Sequence, residues 1–223
     1  MKTLIFSDTH LGPLPSKRKL DFLINLIEDY DQVIINGDFW EWPRYSFNRF
    51  VNSSWSKLFP LLKKRKTYYI YGNHDPAKQS DERVSLFCDE HASKLDLKIG
   101  KKRFHFEHGH EIVPSFNKLN FLPEKRILPA VGGGLMDCFE GLGVTLIGPS
   151  FSKININRRI ENKYAIKKLA KRGMDNKINI LGHTHRPYLD PCSFYINTGC
   201  IKFGYATYVR IENDKISIGK ERY

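Results

Sequence analysis

Long apolar runs are absent from this 223-residue sequence, and their absence excludes the simplest membrane architecture. No run approaches the roughly 18 residues that a membrane-spanning helix needs. The first apolar stretch, 4–6, stops at Ser7 and is too short for the apolar core of a secretory signal peptide. We therefore expect neither a single-pass membrane protein nor a secreted precursor.

Cysteine is also scarce, and the spacing of the residues present excludes the common zinc-ribbon pattern. No Cys-x-x-Cys pair occurs among the four cysteines, which are Cys88, Cys138, Cys192 and Cys200. Without a signal peptide or a metal-type spacing, reduced thiols in a cytoplasmic protein are the expected state.

Acidic side chains are outnumbered: 24 Asp and Glu face 36 Lys and Arg, which gives a net charge of +12. Such a balance suits an anionic partner, whether nucleic acid, a phosphorylated metabolite or an anionic membrane surface. A solvated lysine-rich surface explains the same count without any partner. Apolar residues make up 41% of the chain, so a folded core is expected, and the length favours one domain.

Short apolar runs alternate with helical spacing along the first part of the chain. The pattern predicts strands near 3–7, 31–36 and 67–71, with helices near 16–30 and 45–64 between them. This alternation favours an α/β sheet with right-handed crossovers.

The second half of the chain changes pattern. Further strands are predicted near 95–99, 103–107 and 178–181, and Asn213 and Asp214 indicate the turn of a hairpin. Residues 114–175 interrupt the strands with an apolar part followed by a basic, helix-like part. We expect a single domain over 1–223 that carries a helical insertion at about 114–175.

Five predicted strands end in loops that carry Asp, Asn or His. The loops hold D-T-H at 8–10, G-D at 37–38, G-N-H-D at 72–75, H-G-H at 108–110 and G-H-T-H at 182–185. Sites in open α/β sheets form where strands end, and these side chains suit divalent ions such as Mn²⁺, Fe²⁺, Zn²⁺ and Co²⁺. Each motif alone is weak, because G-D is common in turns and a lone histidine is usually structural. All five in order predict a metal site.

These motifs, in this order, resemble the calcineurin-like metallophosphoesterase superfamily. The resemblance runs from Asp8 to His185 and implies an α/β fold: a two-sheet sandwich flanked by helices. It also implies two divalent metal ions, with Mn²⁺ expected first and Fe, Zn, Co or Ni as alternatives. By matching motif, one ion would be held by Asp8, His10, Asp38 and His185. The other would be held by Asp38, Asn73, His108 and His183, with Asp38 bridging the two.

A narrower resemblance is to the UDP-2,3-diacylglucosamine hydrolase-like branch. It is carried by G-D-F-W-E-W at 37–42, H-G-H-E at 108–111, G-H-T-H-R-P at 182–187 and Y-I-N-T-G at 195–199. Members of that branch cleave a lipid-bearing pyrophosphate and carry a helical lid where this chain has its insertion. One position departs from the branch, because many established members have Arg where this chain has His74.

The resemblance implies hydrolysis of a phosphodiester or pyrophosphate bond by metal-activated hydroxide. His74 adjoins Asn73, so we expect it to hydrogen-bond a phosphoryl oxygen or to protonate the leaving oxygen. Glu41 is expected to orient His74, as a carboxylate does in related phosphatases, and a solvated surface Glu is the alternative. The substrate would be a UDP-linked acylated sugar. Cyclic nucleotides and nucleic acid are alternative substrates, and a non-catalytic scaffold of the same fold is an alternative class.

The composition of the insertion bears on partners and location. Its apolar part could hold acyl chains, and its basic part could hold phosphates or lipid headgroups. We therefore expect a phosphorylated small-molecule or lipid-linked substrate and a cytoplasmic protein that touches the anionic inner membrane surface peripherally. Ordinary core packing beneath a long insertion explains the same apolar residues.

Overall fold

The computed structural model describes residues 1–113, 156–172 and 176–223, and these residues form two β-sheets packed face to face between helices. The predicted two-sheet α/β sandwich is confirmed. Among the described residues, no helix combines the length and apolarity that crossing a bilayer requires. Three thiols, of Cys88, Cys192 and Cys200, are free, and Cys138 lies outside the described residues.

The first sheet has seven strands and a parallel centre. Its strands are β1 (Lys2–Phe6), β2 (Gln32–Asn36), β3 (Thr67–Ile70), β4 (Glu90–Ala92), β10 (Ile201–Lys202), β11 (Tyr205–Glu212) and β12 (Lys215–Arg222). Strands β1 to β4 are parallel neighbours in chain order. β11 runs antiparallel to β1. The same edge of β11 also pairs with the short β10, and the opposite edge pairs with β12 along its whole length.

The second sheet has five strands, which are β5 (Lys94–Ile99), β6 (Lys102–Glu107), β7 (Ile178–Leu181), β8 (Tyr188–Asp190) and β9 (Tyr195–Asn197). β6, β7 and β9 are parallel neighbours, while β5 and β8 pair antiparallel at the two edges. Both sheets therefore have parallel strands at their centres, and such strands present their carboxyl ends at one edge of the sheet.

Side-chain alternation along β1 explains why its sequence is apolar throughout. Leu4 and Phe6 pack among the helices on the outer face of the first sheet. Ile5 points the other way and joins the core between the sheets, where it meets Phe104 and Ile180 of the second sheet. A strand buried on both faces has apolar residues at successive positions, whereas a strand buried on one face alternates apolar and polar residues.

Helices cover the outer face of the first sheet. They are α1 (Lys17–Glu28), α2 (Phe47–Val51) and α3 (Phe59–Lys64). α1 begins where the side chain of Ser16 accepts a hydrogen bond from the backbone N–H of Lys19, which satisfies one free donor of the first turn. Its buried residues, Leu20, Leu23 and Ile27, recur at helical spacing.

The single helix expected over 45–64 is wrong. α2 ends at Val51, and Ser53 caps a separate 3₁₀ helix, Ser54–Leu58, by accepting from the backbone N–H of Trp55. Pro60 stands in the first turn of α3, where its missing N–H costs nothing. The apolar periodicity continues across these breaks because all three pieces pack on the same sheet face.

The outer face of the second sheet is covered by α4 (Ile156–Lys171), which falls within the predicted insertion. Ala165 and Leu169 of α4 are buried against Leu181 and Tyr195. The remainder of the insertion, 114–155 and 173–175, lies outside the described residues. The helical lid and the single-domain boundaries therefore remain predictions.

The hairpin expected around Asn213 and Asp214 is present between β11 and β12. Both residues have positive φ, 50° and 62°, as the two central positions of a tight hairpin turn require. Asn and Asp tolerate this left-handed region better than other non-glycine residues, which is why the sequence predicts the turn correctly.

Candidate metal centre

The loops that carry the predicted ligands meet at one edge of the sandwich. Asp8 follows β1, Asp38 follows β2 and Asn73 follows β3, and these three strands are parallel neighbours. His108 follows β6 and His183 follows β7, which are parallel neighbours in the second sheet. Each sheet thus contributes side chains from the carboxyl ends of adjacent strands, the usual place for a site in α/β folds.

One group of potential ligands comprises Asp8, His10 and His185, whose nearest nitrogen and oxygen atoms all lie within 4.8 Å of one another. His185 Nε2 is 3.1 Å from Asp8 Oδ1 and 3.2 Å from His10 Nε2. His10 Nε2 is 3.9 Å from Asp8 Oδ1. Two imidazoles and one carboxylate converging in this way make a donor set for a divalent ion.

A second group comprises Asp38, His108 and His183, again within 4.8 Å. Asp38 Oδ2 is 3.1 Å from His108 Nε2 of this group and 3.8 Å from His10 Nε2 of the first group. One carboxylate oxygen therefore lies between the two groups. This position fits the bridging role that the sequence resemblance implies for Asp38.

Hydrogen bonds fix the outer atoms of these side chains and leave their inner atoms facing the centre. Asp8 Oδ2 accepts from Ser7 Oγ and from the backbone N–H of His183, the latter at 3.0 Å. Asp38 Oδ1 accepts from the backbone N–H of His74 at 2.8 Å. The remaining oxygens, Asp8 Oδ1 and Asp38 Oδ2, are the ones that face the imidazoles.

His108 is oriented by the same means. Its Nδ1 lies 2.9 Å from the backbone oxygen of Asn36, which can only accept a hydrogen bond, so Nδ1 is the donor. Once a metal ion displaces the Nε2 proton, this orientation presents the Nε2 lone pair to the centre, the arrangement commonly found when a histidine binds a metal.

Three inner atoms are buried without hydrogen-bond geometry to any described partner: Asp8 Oδ1, Asn73 Oδ1 and His108 Nε2. Buried acceptors normally find a donor, because an unpaired one costs about 1–3 kcal/mol. Cations held by the two groups would satisfy Asp8 Oδ1 in the first group and His108 Nε2 in the second. The residues present therefore fit a divalent metal ion by the chemistry of their donor atoms.

The electrostatics of the centre also favour positive charge. Burial alone would lower the pKa of His108, but the Asp38 and Asp8 carboxylates outweigh burial and raise that pKa to about 10. The pKa of Asp38 is held well below its ordinary range, although burial raises it, chiefly because of the His108 charge. The carboxylates thus remain ionised and attract a cation.

Glu41 binds both His10 and His74. Its Oε2 lies 2.5 Å from His10 Nδ1, and its Oε1 lies 3.0 Å from His74 Nδ1. Burial lowers the pKa of His74, but the hydrogen bond to Glu41 and the Asp38 charge raise it to about 9. Glu41 is buried, with 9% of its side chain exposed, so the surface-residue alternative is wrong.

Backbone strain is concentrated at the centre. Five predicted ligands have positive φ, between 46° and 64°, namely Asp8, His10, Asp38, His183 and His185. Non-glycine residues rarely adopt this region, and such residues cluster at functional sites. At Gly37, where φ is +88°, an added Cβ would collide with the His108 ring, so only glycine allows the ligand to approach.

Asp75 has a supporting role that sequence reasoning missed. Its carboxylate accepts from the backbone N–H groups of Asp38 at 3.0 Å, Phe39 at 2.5 Å and Gly72 at 2.6 Å. It thereby joins the loop after β2 to the loop after β3. The G-N-H-D motif indicated this role, because its Asp stands three residues after its Gly, the spacing at which an Asp side chain can bind the backbone of a turn.

Two lysines near the centre were also missed. Burial, and after it the charge of Lys202, lower the pKa of Lys19 to about 7 and the pKa of His10 to about 4. Lys202 lies in β10, whose Ile201 N–H donates to the backbone oxygen of Asp8 at 3.3 Å. Nothing in the local sequence around Lys202 indicates this proximity, which arises from strand pairing.

A buried polar network ties α4 to the loop that carries His183 and His185. Asn162 Oδ1 accepts from Thr184 Oγ1 at 3.1 Å and from Tyr195 Oη at 2.6 Å, while Asn162 Nδ2 donates to the backbone oxygen of Arg186 at 3.3 Å. Thr184 lies between the two predicted ligands. The amide side chain of Asn162 therefore links α4 to the loop that carries two predicted ligands.

Comparisons with known proteins identify a family and several solved structures that are similar to this chain. A sequence model described as calcineurin-like phosphoesterase matches residues 1–187. Among solved structures, Yfce, a phosphoesterase from E. coli, is 16% identical, with 100% of this chain and 99% of that chain covered and a TM-score of 0.47. A predicted phosphoesterase from Streptococcus pneumoniae is 15% identical, covers 100% and 92%, and has a TM-score of 0.45. Vacuolar Protein Sorting 29 from Cryptosporidium parvum is 13% identical, covers 100% and 97%, and has a TM-score of 0.45. No curated protein matches the chain significantly.

Proposed function

The chain belongs to the calcineurin-like phosphoesterase family, and from that premise we propose that it hydrolyses a phosphodiester or pyrophosphate bond with two divalent metal ions. One ion would be held by Asp8, His10, Asp38 and His185. The other would be held by Asp38, Asn73, His108 and His183. Mn²⁺ is the expected ion, with Fe, Zn, Co and Ni as alternatives.

The observation that supports this proposal most strongly is the position of Asp38 Oδ2. It lies 3.1 Å from a histidine of one potential ligand group and 3.8 Å from a histidine of the other. A single carboxylate oxygen between two imidazole-rich groups is what a dinuclear site needs, and an isolated structural ion pair would not need it.

Two bound cations would supply a water nucleophile ionised near neutral pH and would neutralise charge on the phosphoryl oxygens. The chain itself orients the catalytic side chains. Glu41 binds His74 at Nδ1, so Nε2 is the nitrogen that can donate to a phosphoryl oxygen or to the leaving oxygen. His74 is 39% exposed at its side chain, as a group that must reach substrate should be.

We propose a UDP-linked acylated sugar as the substrate class, because the chain resembles the branch that cleaves such pyrophosphates. The positive charge of Lys202 beside His10 suits any substrate of this anionic kind. A cytoplasmic enzyme with peripheral contact at the inner membrane face would meet that substrate. Cyclic-nucleotide or nucleic-acid hydrolysis is the second candidate, favoured by the net charge of +12.

A substrate panel tests the proposal. The purified protein is stripped with chelator, reloaded separately with Mn²⁺, Co²⁺, Ni²⁺, Zn²⁺ or Fe²⁺, and assayed on bis-p-nitrophenyl phosphate, p-nitrophenyl phosphate, cyclic nucleotides, short RNA, and UDP-sugars with and without acyl chains. We expect metal-dependent turnover of the diester and a preference for acylated UDP-sugars. Two bound equivalents of metal without turnover of any substrate would favour the scaffold alternative instead.

A further inference from the structure

A cavity of about 680 Å³ lies at the end of the sandwich opposite the candidate metal centre. Arg103 and Ile178 line this cavity near the starts of β6 and β7. His108 and His183 follow the other ends of the same two strands. The four residues of β7, at about 3.3 Å each, separate the cavity from the metal loops by roughly 13 Å. The cavity is therefore distinct from the candidate metal centre.

The interior of the cavity is apolar. Its lining includes Ile178, Leu189, Ile196 and Ile216, and all four pack in the core between the two sheets. The cavity is thus continuous with the apolar core between the two sheets. Phe194, another lining residue, is 47% exposed, which is uncommon for so large an apolar side chain.

The rim of the cavity is basic. Its cationic side chains are Lys101, Lys102, Arg103 and Lys215, all exposed and none in an ion pair with a described residue. Two acidic residues share the rim, but both bind the backbone. Asp214 Oδ1 accepts from the N–H of Lys101 at 2.8 Å, and Asp190 Oδ1 accepts from the N–H of Cys192 at 3.0 Å.

We propose that this cavity binds a single-chain anionic amphiphile, a medium-chain fatty-acid carboxylate, with its hydrocarbon chain against the isoleucines and its headgroup at the basic rim. The volume lies within the range of small-molecule sites, about 300–1,000 Å³. Apolar lining inside and free cations outside complement a ligand that is apolar at one end and anionic at the other. A nucleotide base would need several hydrogen-bonding side chains, and Asn176 is the one neutral amide among the described lining residues.

Calorimetric titration of the full chain with octanoate, decanoate and dodecanoate, each below its critical micelle concentration, tests this proposal. Each added methylene buried should tighten Kd about fourfold, which corresponds to about 0.8 kcal/mol. Octan-1-ol and inorganic phosphate, which each carry one half of the ligand, should bind at least about tenfold more weakly than octanoate. Binding should be the same with chelator as with Mn²⁺. Loss of binding in chelator would assign the site to the metal centre and overturn the proposal.

Variants locate the site. Lys102→Glu combined with Arg103→Glu should weaken decanoate binding about fivefold or more, because two favourable charges become repulsive. The matched control, Lys57→Glu with Lys64→Glu, makes the same charge change in the helical layer over the first sheet and should leave Kd within twofold. Ile216→Trp should fill the cavity and abolish binding, with circular dichroism as a check on folding. Equal weakening by both charge pairs, or no dependence on chain length, would overturn the proposal.

Discussion

At the scale of single residues, Asp38 has the most demanding position, because one of its oxygens faces both groups of potential ligands. Its other oxygen is held by the backbone N–H of His74, so the carboxylate cannot turn away from the centre. Its backbone φ of 54° is one that Asn also tolerates. Asp38→Asn is therefore a substitution that should keep the backbone while removing the negative charge.

We predict that Asp38→Asn loses at least one equivalent of bound metal and nearly all turnover of bis-p-nitrophenyl phosphate. A neutral amide cannot bridge two cations as a carboxylate does. Elemental analysis after dialysis measures the metal, and Asp21→Asn on the exposed face of α1 is the matched control. Two full equivalents bound to the Asp38 variant would remove Asp38 from the bridging position.

His74 belongs to neither of the groups built on Asp8 and Asp38, but with His10 and Glu41 it forms a third group of potential ligands within 4.8 Å of one another. Because Glu41 is hydrogen-bonded to both histidines of that third group, we expect it to orient them and not to hold a metal ion. We predict that His74→Asn keeps both metal ions while turnover falls on the order of 10²–10⁴-fold, the range for losing a positioned acid or hydrogen-bond donor. His105→Asn, a change of the same kind away from the centre, should leave turnover unchanged. Wild-type turnover of a substrate with a poor leaving group would exclude His74 from the mechanism.

Glu41 should act partly through His74, and a double-mutant cycle tests this. Removing either member of a contacting pair gives effects that do not add. We predict that Glu41→Gln lowers kcat, and that the same substitution in a His74→Asn background lowers kcat much less. Glu41→Gln should also weaken metal affinity about 10–100-fold, because the contact with His10 is lost. Additive effects on kcat would mean that Glu41 does not act through His74.

At the scale of elements, the regular geometry of parallel strands made much of the centre predictable. Asp8, Asp38 and His183 each follow the end of an apolar strand after one intervening residue, and parallel neighbours bring their carboxyl ends together. Contacts that depend on packing between distant elements were not predictable. Asn162 reaches Thr184 only because α4 lies on the second sheet, and no local pattern around Asn162 encodes that docking.

The break in the helix expected over 45–64 has a similar cause. Ser53 and Pro60 are the residues that interrupt and restart the helix, and each is a known boundary signal. The apolar spacing nevertheless continues through them, because α2, the 3₁₀ helix and α3 bury side chains in one cluster. Periodicity reports which face is buried, so it cannot by itself separate one long helix from three short ones.

The contact between α4 and the ligand loop leads to a prediction about Asn162. Asn162→Ala leaves Tyr195 Oη and Thr184 Oγ1 without their buried acceptor, at a cost of about 1–3 kcal/mol in the free energy of unfolding. Because Thr184 lies between His183 and His185, we also expect metal affinity to fall about tenfold or more.

Lys163→Ala, the adjacent and exposed position on α4, is the matched control and should change neither quantity. Denaturant unfolding of the metal-free protein gives the stability, and metal titration of the folded protein gives the affinity. If Asn162→Ala lowers stability while metal affinity stays at the wild-type value, α4 supports the fold without positioning the ligands.

At the scale of the whole molecule, the candidate centre joins the two sheets. Asp8, Asp38 and Asn73 come from the first sheet, and His108, His183 and His185 come from the second. Elsewhere the sheets are held together mainly by the apolar cluster around Ile5 and Phe104. Ions bound between the sheets would therefore act as a second link, at one edge of that cluster.

Metal binding should consequently stabilise the whole fold. A ligand that binds only the native state adds RT ln(1 + [L]/Kd), which is about 2.7 kcal/mol for each ion at 100 times its Kd. For a chain of this length each kcal/mol raises the melting temperature by roughly 2–4 °C, so we predict a rise of about 5–10 °C for each ion.

Scanning calorimetry across a Mn²⁺ series, starting from chelated protein, should show the melting temperature increasing with the logarithm of the free metal concentration. Asp38→Asn should lose at least half of the rise, and Asp21→Asn should keep all of it. A melting temperature that does not respond to metal in the wild-type protein would contradict a link between the sheets, whatever the turnover measurements show.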